Sequence, residues 1–186
     1  MKKIYLDNPY KKTLVTSPIP LEGEKNIFLP KETIFLKETP HYKGEISRIN
    51  GEKREDGNLK VQLANHKESI TLSLSWEERL QFLQDSMARV LLSISIKHLL
   101  QEDTVDYYLD KKSWIELETS DLSFRDMDRI EDLTNYLLQG NFPFYSDSYD
   151  EEDKTMIYIG EYEGVPHYGP HLQYTGEVSL IKITSL

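Results

Sequence analysis

The sequence predicts an α+β fold: a small antiparallel, β-barrel-like N-terminal part, followed by an antiparallel sheet packed on two main helices. Three observations predict it. Residues 1–74 hold six or seven short apolar or alternating runs between turn residues, the hydrophobic period changes to the helical one at Ser75, and two helical patterns open on capping boxes. The expected division is a β-rich subdomain over 1–70 and an α+β subdomain over 71–186, with the junction inside 68–75.

The expected strands are "KIYL", "TLVT", "NIFL", "TIFL", "GEISRI", "LKVQL" and "SITLSL". Between them "LEGEKN", "INGEKREDGN" and "ANHKES" read as hairpin loops, the second as a long charged tip. At Ser75 a capping box with Glu78 starts a long amphipathic helix, because Trp76, Leu80, Leu83, Met87, Leu91 and Ile94 recur at helical spacing as far as Leu100. "TVDYYL" and "SWIELE" follow as a strand pair. A second helix starts after Ser123, with Asp126 as capping partner and Phe124, Met127, Ile130, Leu133 and Leu137 on one face, and Gly140 stands at its C′ position. The stretch "FPFYSDSYDEEDK" reads as a polar, acidic loop, and "TMIYIG" and "EVSLIKI" as closing strands.

Composition narrows the chemistry. The chain has 186 residues, enough to bury a core, and no cysteine, so disulfides and thiolate ligands are excluded and any zinc site must use His or carboxylate donors. No leader-type apolar region follows the basic N-terminus and no run approaches a membrane span, so the expected address is cytoplasmic and no membrane partner is expected. Lys+Arg 22 against Asp+Glu 32 gives a net charge of −10, which disfavours nucleic acid unless the basic residues gather on one face.

The segment "HYGPH" places His167 and His171 close together in a loop rich in glycine and proline. They are the candidate catalytic residues and weak candidate metal ligands, with His41 as the third imidazole; the plainer reading is a pair bonded to backbone or solvent. His66 and His98 read as structural or exposed, His98 in the last helical turn, where a cation suits the dipole. A nucleophile at Ser86 with a histidine base is disfavoured, since the adjacent Asp85 points about 100° away around the helix. Tyr107, Tyr108, Tyr158, Tyr162, Tyr168 and Tyr174 could line a pocket, although such tyrosines more often finish a sheet surface. The acidic run 147–153 reads as a solvated loop.

In order along the chain, "IYLDNPY" (4–10), "TIFL" (33–36), "SWEERLQFLQDSMARVLLS" (75–93), "TVDYYL" (104–109), "DLSFRDMDRIEDLTNYLLQGNFPF" (121–144) and "HYGPHLQYTGEVSLIKI" (167–183) resemble segments of the alanyl-tRNA editing family. That family comprises the editing domain of alanyl-tRNA synthetase and its freestanding relatives, and the resemblance implies their fold and their hydrolysis of mischarged aminoacyl-tRNA. It also implies a zinc site built from two helix histidines one turn apart and a Cys and a His of the terminal segment.

This chain departs from that pattern. Ser86 and Val90 stand at the helix histidine positions, His167 at the cysteine position and His171 at the last histidine position. "LKETPHYKG" replaces the family's glycine-rich loop, and Tyr108 replaces a strand histidine. The expected substrate cleft therefore comprises Thr39, His41, Ser86, Val90, Tyr108, His167 and His171. The expectation is a freestanding homologue that keeps the fold, needs no cofactor and acts in binding, its partner being tRNA, aminoacyl-tRNA or another protein. A deacylase with a remodelled His-based site, with zinc as a possible ligand, and a protein interaction module are the alternatives.

Overall fold

The computed structural model describes residues 1–36, 47–54, 59–64, 67–109, 113–118, 121–148 and 154–185. The chain forms two compact units, Met1–Leu80 and Gln81–Leu186.

The first unit contains β1 (Lys2–Lys3), the single turn α1 (Ile4–Asp7), β2 (Thr13–Thr16), β3 (Pro18–Pro20), β4 (Ile27–Pro30), β5 (Glu32–Thr33), β6 (Ser47–Ile49), β7 (Glu52–Arg54), β8 (Val61–Gln62) and β9 (Ile70–Leu74). Strands β2, β9, β6 and β7 form one antiparallel sheet in that order, and β3, β4 and β8 form another. Alternation along each strand sends Leu14, Phe28, Ile49, Val61, Ile70 and Leu72 into a single shared core, as a half-buried antiparallel sheet requires.

Three local expectations change here. "KIYL" is not a strand: after two residues of parallel pairing with β5 the chain turns, Asn8 N–H donating to Ile4 O at 2.9 Å, and Tyr5 is buried. "TIFL" pairs only at Thr33; beyond it the backbone is satisfied by side chains, with Phe35 N–H donating to Thr33 Oγ1 (3.0 Å) and Arg79 donating to Ile34 O (2.6 Å). The expected charged tip after Ile49 is a tight hairpin instead. Asn50 and Gly51, at φ 51° and 86°, make the two left-handed residues that an Asn-Gly turn supplies, and β7 begins at once.

Arg79 ties the start of the long helix into this unit. It is fully buried, and its guanidinium also donates to Pro9 O at 3.1 Å. Nearby, Trp76 packs 6.3 Å from the Tyr10 ring and carries the Lys12 ammonium 4.4 Å above its own.

The long helix α2 spans Trp76–Leu100, as its capping box and periodicity predict. From Phe82 to Ile96 it is enclosed more fully than a single amphipathic stripe requires: Leu83, Met87, Leu91 and Ile94 are buried, and so are Ser86, Arg89, Val90, Ser93 and Ser95. Small residues accommodate the neighbours. Ser95 Oγ accepts from Thr134 Oγ1 at 2.9 Å, and Ser93 and Thr104 share a hydroxyl contact of 2.6 Å.

In the second unit β10 (Thr104–Tyr108) and β11 (Trp114–Leu117) pair as the expected antiparallel hairpin. Helix α3 (Phe124–Gln139) carries the expected capping box: Asp126 N–H donates to Ser123 Oγ (3.3 Å), and Ser123 N–H donates to Asp126 Oδ2 (3.2 Å). Its buried face is Met127, Ile130, Thr134, Leu137 and Leu138, whereas Phe124 is exposed. Gly140 is right-handed at φ −69°, and Asn141 takes the left-handed position at 48°. What requires glycine at 140 is proximity, since a Cβ there would collide with the Phe142 ring.

Strands β12 (Tyr145–Ser148), β13 (Lys154–Tyr158) and β14 (Val165–Tyr168) form a three-stranded antiparallel sheet. Part of the expected acidic loop is thus the strand β12, whose polar composition suits a sheet edge. Conversely, "EVSLIKI" forms no strand. Ile181 N–H and O pair with the Asn135 side-chain amide (3.1 and 2.8 Å), and Ile183 N–H donates to Glu131 Oε2 (2.8 Å), so α3 side chains stand where a ladder partner would. Among the described residues no helix is long and apolar enough to cross a membrane.

Candidate functional site

His167 lies on β14 rather than in a loop, opposite Thr155 of β13. The alternation of β14, buried at Val165 and His167 and open at Pro166 and Tyr168, turns the imidazole inward, where it is 1% exposed. There it meets Arg89 of α2, itself 4% exposed. One guanidinium nitrogen, Nη2, lies 3.4 Å from His167 Nδ1 and 2.9 Å from Pro166 O, while His167 Nε2 lies 3.1 Å from Pro170 O. These partners fix the tautomer. A carbonyl can only accept, so Nε2 carries the proton; a guanidinium can only donate, so Nδ1 offers its lone pair to Arg89. Burial, followed by the Arg89 charge, pushes the His167 pKa down to about 3, and the ring is neutral at physiological pH.

The Arg89 guanidinium lies over the Tyr107 ring at 4.5 Å, and its own pKa is lowered by burial. Burial raises the Tyr107 pKa, with the Arg89 charge opposing. Among the described residues no carboxylate pairs with Arg89, and its Nε is buried without a hydrogen-bond partner.

His171 is half-buried just beyond β14, its ring centroid 6.4 Å from that of His167. Its Nδ1 lies 2.8 Å from Leu172 O, so Nδ1 donates and Nε2 keeps a lone pair. Ser86 is buried with Oγ donating to Leu83 O at 3.2 Å, and Val90 is fully buried. Tyr108 is half-buried on β10 opposite Trp114. His98 is exposed and stacks edge-on against Tyr162 at 5.0 Å. Thr39, His41 and His66 lie outside the described residues.

A cavity of about 610 Å³ opens on a different face of α2, the one carrying Asp85, Ala88, Arg89, Leu92 and Ile96. Of the described residues that sequence reasoning singled out for a cleft, none lines it; Arg89, which sequence reasoning passed over, does. A signal for Arg89 was present, since it is the one charged residue between Ser86 and Ile96 in a run otherwise apolar or hydroxylic.

No family model matches the chain. Among curated proteins it is 22% identical, over an alignment 219 positions long, to the alanyl-tRNA editing protein AlaX-L of Pyrococcus horikoshii, covering 98% of this chain and 54% of that protein. The chain is thus similar, along nearly all of its length, to an alanyl-tRNA editing protein. It spans about half the length of that relative. The near-complete coverage takes in both compact units of the chain.

Proposed function

We propose that this protein binds tRNA or aminoacyl-tRNA and does not carry the zinc-dependent deacylase chemistry that its family resemblance implies. The observation that carries the reading is the Arg89–His167 contact. A zinc ligand must present a free imidazole lone pair. In His167 one nitrogen carries a proton directed at Pro170 O and the other faces a guanidinium, so a metal there would have to displace a fixed positive charge. Ser86 and Val90, at the positions the resemblance gives to two histidines, supply a poor donor already engaged with Leu83 and no donor at all. These residues do not fit the four-ligand zinc that the resemblance implies. Aminoacyl-tRNA is found where proteins are made, so we place the protein in the cytoplasm.

The test is to incubate the protein with a mischarged aminoacyl-tRNA at low salt. The reading expects retention of the tRNA, with affinity falling steeply as salt rises, and the ester left intact. Hydrolysis that a metal chelator abolishes would overturn it.

One observation favours a second reading, hydrolysis without metal. His171 keeps an Nε2 lone pair with no partner among the described residues, as a general base for an ester-attacking water needs. Chelator-resistant hydrolysis lost in His171→Ala would establish it.

A further inference from the structure

We propose that the cavity beside Arg89 is a binding site for a small amphipathic carboxylate, a single anionic head on an apolar body. The cavity measures about 610 Å³, within the range that small-molecule sites occupy. Its walls are mostly hydrocarbon: Leu92 and Ile96 of α2, Leu109 and Leu117 of the β10–β11 hairpin, and Met127 and Ile130 of α3. At this lining stands Arg89, and a guanidinium stays charged in a protein.

A buried charge is normally matched by an opposite one, because leaving it unmatched forfeits hydration without return. Among the described residues no carboxylate matches Arg89: its partners there are one carbonyl, one neutral imidazole and one aromatic face, and Nε has none. The other cation at this lining, Lys182, is already held by Glu131 at 2.7 Å. Two carboxylates also stand at this lining, Asp85, half-buried and accepting from Gln81 at 2.8 Å, and Glu116, exposed to water; Arg89 is the buried charge there with no carboxylate partner among the described residues, and it suits one negative charge. A nucleotide, with several charges and many polar edges, fits this lining poorly, whereas a carboxylate on an aromatic or aliphatic body places its oxygens by the guanidinium and its carbon against the leucines. This site lies apart from the proposed tRNA-binding role and stands or falls separately from it.

The test compares 1-naphthaleneacetate with its neutral isostere 1-naphthaleneacetamide by calorimetric titration, with amide chemical shifts of Leu109 and Met127 reporting the location. The expected result is at least tenfold tighter binding of the acid, with shifts at both residues. Ala88→Trp, which fills the cavity without touching the charge, should remove binding while the melting transition stays cooperative. Arg89→Met should bring acid and amide to equal affinity. Equal affinity of the two probes for the native protein, no binding of either, or retained binding in Ala88→Trp would each overturn the proposal; should Arg89→Met fail to fold, the native acid-to-amide ratio and the Ala88→Trp result decide it.

Discussion

Arg89 and His167 form a buried cation–imidazole contact, Nη2 to Nδ1 at 3.4 Å, in which the imidazole is the neutral acceptor. Its consequence is a proton penalty. The folded-state pKa of His167 is about 3 against an ordinary value of 6.5, so below pH 6.5 the unfolded chain takes up a proton that the folded chain refuses. Stability linked to this group is fully present above pH 6.5 and is lost as pH falls toward 3, by about 1.4 kcal/mol per pH unit in the middle of that window. Because carboxylates titrate in the same range, the decisive comparison is with His167→Gln. The stability advantage of the native protein over this variant, from denaturant unfolding at pH 7.5, 6 and 5, should shrink progressively as pH falls.

Arg79 holds two separated segments by donating to Pro9 O and Ile34 O from a fully buried position. Arg79→Ala leaves both carbonyls without that donor and opens a void, and should cost about 3 kcal/mol or more. Arg79→Lys, with one compact ammonium in place of a fork, should recover only part of this. Thermal unfolding of the two variants measures the ranking.

The final segment is held to α3 by side chains rather than by a strand partner, Asn135 contributing both of its amide groups to Ile181. Asn135→Ala should lower stability by about 1–2 kcal/mol and accelerate hydrogen exchange at Ile181 N–H, with α3 amides little changed. If the segment were an ordinary strand, the substitution would leave its exchange protected.

Gly140→Ala should destabilise through a clash with Phe142, since the glycine has an ordinary right-handed φ of −69°. Removing the ring therefore relieves the strain: in a double-mutant cycle Gly140→Ala should cost less in a Phe142→Ala background. A cost unchanged by that background would point to the backbone instead.

The helices were legible in the sequence because their signals are local. Ser123 and Asp126 make a capping box whose two hydrogen bonds are both present, and Leu83, Met87, Leu91 and Ile94 announce a helix that begins and ends where expected. The β-rich part was legible in class but less so in its ends. "TLVT" is the strand Thr13–Thr16, but Ile34 and Phe35 of "TIFL" and Ile181 and Ile183 of "EVSLIKI" bond their backbone groups to the side chains of Arg79, Thr33, Asn135 and Glu131, and of these only Thr33 is near in sequence, so no periodicity reveals them. The site divided in the same way. His167 and His171 stood out by residue type, yet the state of His167 is set by its burial and by a helix residue 78 positions away. Burial of an arginine is a tertiary fact, visible in the sequence only as one charge in an unusually apolar run.

A guanidinium faces the histidine that the chain's resemblance to alanyl-tRNA editing proteins would give to zinc. The most direct measurement is the metal content of native protein purified without chelator and loaded with excess zinc before extensive dialysis. Well under 0.1 equivalent of zinc should be retained, because the available ligands are too few to hold it tightly. One equivalent of zinc surviving dialysis, and lost in His167→Gln, would contradict it.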